Sequence, residues 1–127
     1  MLFAMDDSTT SVQLLRQWVA DFVAARQWEK FHTPKNLAMS VAIEAAELME
    51  HFQWVKSEQI GTLMKDPERR ESIADEMADV LYYVLALANQ LQIDLTSAFC
   101  AKMKKNESKY PAERIRGRYG YDDLEAE

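Results

Sequence analysis

The chain has 127 residues, 48% hydrophobic and 28% charged, with a formal net charge of −6. That length suits one domain, and the apolar share excludes a disordered chain. The negative charge argues against a nucleic-acid polymer or an anionic membrane as partner, but not against a small anionic ligand carried with a metal cation.

Only 3 Gly and 3 Pro punctuate the chain, which favours long helices over an all-β or doubly wound fold. A single cysteine, Cys100, cannot form an internal disulfide and fits a reducing, cytoplasmic setting. The opening "MLFAMDDSTTS" lacks a basic region followed by an apolar stretch, so no secretory signal is expected there. The apolar run at 80–88 is too short to span a bilayer.

Residues 1–10 read as a flexible arm ending in Ser8, Thr9, Thr10 and Ser11, all able to cap a helix. A first helix is expected over about 11–30, with Val12, Leu15, Trp18, Val19, Phe22 and Val23 on one stripe. "FHTPKN" then breaks and restarts the chain. Thr33 is the cap and Pro34 the first helical residue, where a missing N–H costs nothing. The second helix runs to about Val55, with Leu37, Val41, Ala45, Leu48, Phe52 and Val55 apolar.

Residues 56–66 form another break, with a short helical turn near Gly61. Asp66-Pro67 repeats the cap-and-proline signal and starts a third helix that continues to about Gln92. Its later half is apolar nearly all round, so several neighbours must cover it. Asp94 caps a fourth helix, marked by Leu95, Phe99 and Met103 and stopped by Pro111. Residues 112–127 read as a polar tail. The expected fold is all-α: four main helices in an antiparallel bundle, completed by homo-oligomerisation because three neighbours cannot cover the third helix.

Two acidic pairs stand out: Glu44-x-x-Glu47 on the second helix and Glu76-x-x-Asp79 on the third. A step of three places both members of a pair on one helix face. If these helices pack antiparallel, the four carboxylates meet. Two unit charges ~6 Å apart at an effective dielectric of ~20 repel by roughly 2.8 kcal/mol. Several such pairs would rival the net stability of a domain. Either the acids take up protons or a divalent cation joins them, and an oxygen-only set suits Mg²⁺ or Mn²⁺. A di-iron carboxylate site would need two Glu-x-x-His motifs on facing helices, and only Glu29-x-x-His32 has that spacing.

Lys102, Lys105, Asn106 and Lys109 recur at steps of three and four, so they share one face of the fourth helix. Lysine ammonium groups there suit the oxygens of a polyphosphate. Trp28, Phe31, His32, Trp54, Tyr82 and Tyr83 form an aromatic set on which a base can stack. Trp18 and Phe22 are read as core.

Acid pairs, a Lys/Asn face and helix-end aromatics together resemble the MazG-like all-α nucleoside triphosphate pyrophosphohydrolases, in particular their dCTP pyrophosphatase branch. The segments that carry the likeness are "WEKFHTPKNL", "EAAELMEHFQW", "DEMADVLYYVLALA" and "KMKKNESKYP", in that order, within roughly residues 12–111. The resemblance implies a MazG-like catalytic domain over 11–111 that forms dimers or tetramers. It implies Mg²⁺-dependent cleavage of a nucleoside triphosphate between the α and β phosphates. Glu44, Glu47, Glu76 and Asp79 fall on the metal-binding acids, and Glu47 is the choice for orienting the attacking water. Lys102, Lys105, Asn106, Lys109 and Tyr110 fall on phosphate-binding positions. Trp28, His32, Asn36, Trp54 and Tyr83 match the base pocket. One departure is Ile43, where many superfamily members place an acid next to the first glutamate. Rival readings are the same chemistry on another triphosphate such as dUTP, and a helical interaction module whose acids bind a cation for structure alone.

Overall fold

A computed structural model describes residues 5–118. Every regular element among them is helical: α1 (Val12–Ala25), α2 (Pro34–Glu50), a 3-10 turn (Ser57–Gln59), α3 (Ile60–Leu63), α4 (Pro67–Leu91), α5 (Leu95–Lys109) and α6 (Ala112–Ile115). The chain divides into two compact units, Met1–Gln92 and Ile93–Glu127. No helix among the described residues is long and apolar enough to cross a membrane.

The helix starts follow local chemistry. Ser11, Thr33, Asp66 and Asp94 each accept a backbone N–H with the side chain, and Pro34 and Pro67 occupy the first helical positions. Ahead of α1, Asp6 accepts from the backbone of Ser8 and Thr9 at 2.9 Å each, closing a tight turn.

The helix ends differ from the sequence expectation. α1 stops at Ala25, not near residue 30. Gln27 adopts a left-handed φ of 54°. The N–H of Gln27 then reaches Ala24 O at 3.0 Å, and that of Trp28 reaches Val23 O at 3.1 Å. This paired closure of a helix end normally uses glycine, so a glutamine there carries no warning. The α-helix of α2 ends at Glu50, and the chain continues to Val55 in turns bonded at a step of three, such as Phe52 N to Met49 O at 3.0 Å. Trp28 and Trp54 therefore sit on turns beyond the helices. Within the stretch read as tail, Ala112–Ile115 are helical, and the part beyond residue 118 lies outside the described residues.

In the first unit α4 is the central element and runs antiparallel to both partners. Against α1, Arg16 pairs with Asn89, and Phe22 further along meets Tyr82 earlier on α4. Against α2, His32 just before the helix meets Tyr82, Glu44 and Glu47 meet Glu76, and Glu50 and His51 share a groove with Arg69. The core is Val19 and Val23 of α1, Leu37 of α2, Leu63 of α3, and Ile73, Leu85, Ala86 and Ala88 of α4. Arg16 Nε donates to Asn89 Oδ1, and Asn89 Nδ2 returns a bond to Arg16 O, both at 3.0 Å, fixing the α1–α4 register. The apolar stripes are only partly covered: Trp18, Met77 and Leu81 are more than 45% exposed. α5 of the second unit also exposes Phe99.

Candidate functional site

The antiparallel pairing of α2 and α4 brings acids from both helices together. Glu44, Glu47 and Glu76 each contribute an oxygen, and the three atoms lie within 4.8 Å of one another. Glu47 is exposed, while Glu44 and Glu76 are half-buried. The Oε2 atoms of Glu44 and Glu76 are shut off from solvent and accept no hydrogen bond. A buried acceptor without a donor costs about 1–3 kcal/mol, and more when charged.

The electrostatics reflect that geometry. Glu44 is pushed up to about 7, first by burial and then by the carboxyls of Glu47, Asp79 and Glu76. Every cause acts in the same direction. Glu76 is also raised, by burial first and next by the charge of Glu47. Asp79 is not one of the three that converge within 4.8 Å, but its charge reaches Glu44, Glu76 and Tyr83.

Three converging carboxylates, two of them with a shielded oxygen that lacks a donor, fit a hard divalent cation. Such an ion turns mutual repulsion into shared attraction and gives both orphan oxygens a partner. No sulfur or imidazole belongs to the set, so the donors do not match structural zinc.

Tyr83 carries the site toward the aromatics. Burial raises its phenol, the carboxylates of Glu44 and Asp79 push it the same way, and a hydrogen bond with Ser40 opposes them. Tyr82, its neighbour, lies edge-on at 5.0 Å. Tyr82 also meets His32, with hydroxyl and Nε2 3.1 Å apart. The His32 ring lies under Trp28 at 6.1 Å with 22° between planes. Phe22 sets an edge against both Trp28 and Tyr82, at 5.8 and 6.0 Å. Asn36, expected near the base, donates its Nδ2 to Phe31 O at 3.1 Å and ties the loop to the start of α2.

Of the aromatics expected at the base, Trp28, His32 and Tyr83 thus join one network through Tyr82. Trp54 stands elsewhere, 85% exposed, on a 720 Å³ groove it shares with Gln59, Asp66 and Arg69. Two contributors escaped the sequence reading. Ser40 lies one turn before Glu44 on α2, an i,i+4 spacing that could have flagged it. The Tyr82 hydroxyl finds a partner 50 positions away, which no local pattern reveals.

The expected phosphate-binding residues lie in the second unit. Lys102, Lys105 and Lys109 are exposed along α5 and Asn106 is half-buried. Tyr110 follows the helix, its N–H bonded to Asn106 O at 2.8 Å and its ring 5.2 Å from Lys109 Nζ.

The scaffold is all-α and collects glutamates from two antiparallel helices beside an aromatic cluster. The chain belongs to the MazG-like family, whose model matches residues 39–123. It is 37% identical over 110 residues to dCTP pyrophosphatase 1 of Bos taurus, covering 87% of this chain and 65% of that protein. It is 39% identical over 102 residues to dCTP pyrophosphatase 1 of Homo sapiens, covering 80% of this chain and 60% of that protein. The chain thus spans 60–65% of the length of these curated relatives. A solved structure of a pyrophosphatase from Archaeoglobus fulgidus DSM 4304 superposes with a TM-score of 0.73 at 38% identity, covering 87% of this chain and 99% of that one. The family expected from the four sequence segments is therefore the family found.

Proposed function

We propose that this protein is a nucleoside triphosphate pyrophosphatase. It hydrolyses dCTP or a modified dCTP to the monophosphate and pyrophosphate, with Mg²⁺ as its cation and Mn²⁺ as a substitute. The observation that carries the reading is the trio Glu44, Glu47 and Glu76, with two shielded oxygens that lack a donor. The likeness to proteins named dCTP pyrophosphatase 1 supports the choice of substrate.

Glu44, Glu47, Glu76 and, with its nearby charge, Asp79 hold the cation. When bound, it supplies Lewis acidity to the phosphate oxygens. Glu47, the exposed member of the trio, orients the attacking water. Lys102, Lys105, Asn106, Lys109 and Tyr110 bind the phosphates and offset the charge of the departing pyrophosphate. Trp28 and Tyr83 present ring surface to the base, with His32 and Asn36 beside them, whereas Trp54 lies on its separate groove. No covalent step is needed, because phosphoryl transfer to water runs on positioning and electrostatics.

The protein acts in the cytoplasm as a dimer or tetramer, in which a second copy covers the exposed apolar face of the first unit. The exposed Trp18, Met77 and Leu81 support this, because a partner surface would cover them. The test is pyrophosphate release from a panel of deoxynucleoside triphosphates with Mg²⁺. Turnover of dCTP or a modified dCTP ahead of dUTP, lost in Glu44→Gln and weakened in Asp79→Asn, is expected. Full turnover in both variants removes the site assignment.

A further inference from the structure

We propose that His32 is a positioning residue, acting on the nucleotide through Trp28 and Tyr82 and making no contact with the base itself. This rests on the nucleotide-hydrolase reading above.

An imidazole has two polar atoms, and here the protein takes both. His32 Nδ1 lies 3.2 Å from the Trp28 carbonyl oxygen. That oxygen only accepts, so Nδ1 carries the proton. Nε2 of the neutral ring is then the acceptor for the Tyr82 hydroxyl at 3.1 Å. The side chain is buried at 9% exposure, whereas Trp28 above it is 40% exposed. The histidine has no polar atom left for a base, and the tryptophan has ring surface left to stack on.

The surroundings form a pedestal. The Trp28 carbonyl also accepts the backbone N–H groups of Phe31 and His32, at 2.9 and 3.1 Å. Phe22 braces the edges of both Trp28 and Tyr82. On the far side, Tyr82 abuts Tyr83, whose phenol is influenced by Glu44 and Asp79. The His32 side chain bonds to the aromatic loop on one flank and to α4 on the other. It keeps the stacking platform in fixed register with the acid trio. Fixing a platform in advance lowers the cost of binding and leaves the chemical step alone, so the effect belongs in KM.

The experiment compares wild type, Tyr82→Phe, His32→Phe and the double variant by pyrophosphate release. Each single change is expected to raise KM about three- to ten-fold, the worth of one or two hydrogen bonds, with kcat within about two-fold. The double variant should be no worse than the worse single one, because both break the same link. If Tyr82→Phe leaves KM unchanged while His32→Phe raises it, or if the two losses add, His32 acts on its own and the proposal is overturned. Should His32→Phe not fold, Tyr82→Phe still decides, since it removes one oxygen only.

A ligand-free arm separates this proposal from the functional reading. In a Trp18→Phe/Trp54→Phe background Trp28 is the sole indole, and Tyr82→Phe is expected to increase its quenching by acrylamide. Unchanged quenching overturns the positioning role. Absence of turnover of every triphosphate by wild type removes the functional reading instead.

Discussion

The acid trio and the aromatic pedestal each draw members from α4, Glu76 in one and Tyr82 in the other, and are built on opposite terms. Both ring nitrogens of His32 have partners, and the rings around it meet edge or face. Around Glu44 and Glu76 two carboxylate oxygens have none, and their neighbours are other acids. The pedestal is complete with the protein alone. The trio is not, and a cation is what would complete it. A fold tolerates such frustration at a functional site when the rest of the structure holds it in place.

That contrast is broken first by neutralising an acid. Glu44→Gln should cost on the order of 10²-fold or more in turnover, the scale of a lost electrostatic stabiliser. The same variant should unfold at no lower temperature than wild type without divalent ions, since it removes repulsion. If it melts well below wild type in EDTA, the acids are supporting the fold and the contrast fails. A core change gives the opposite pattern. Leu37, only 2% exposed, anchors the start of α2. Leu37→Ala should destabilise by about 2–5 kcal/mol in urea unfolding, with or without metal.

The pH dependence sharpens the comparison. Glu44 titrates near 7 in the folded chain, against an ordinary 4.5. Between those values the folded state binds more protons than the unfolded state, so stability must fall as pH rises. The contribution is fully present below about 4.5 and lost as pH passes about 7. Denaturant unfolding of metal-free protein across this window should show the decline, and Glu44→Gln should flatten it. Cation affinity should run the other way and strengthen as Glu44 deprotonates. The smallest effect belongs to the turn beneath the pedestal. Gln27 holds a left-handed φ of 54°. Gln27→Gly should raise stability by roughly 0.5–1 kcal/mol, because glycine enters that region without steric cost.

Much of this was legible in the sequence, for local reasons. Ser11, Thr33, Asp66 and Asp94 announce helix starts, and all four cap as their chemistry suggests. The acid pairs were legible because a step of three keeps two side chains on one face. That Asp79 stays outside the tight trio was not, since a step of three still rotates the side chains apart by about 60°. Which member converges depends on how α2 crosses α4. The early end of α1 was hidden by Gln27, which does a glycine's task without being one. The role of the Tyr82 hydroxyl depends on a partner brought close only by tertiary packing.

The central claim is that Glu44, Glu47 and Glu76 bind a divalent cation, and thermal melting with added magnesium tests it most directly. Metal-stripped wild type at pH 8 should gain stability as MgCl₂ is titrated in, while Glu44→Gln and Glu76→Gln should not respond. A wild-type melting curve indifferent to magnesium, or variants that respond as strongly as wild type, would contradict the account.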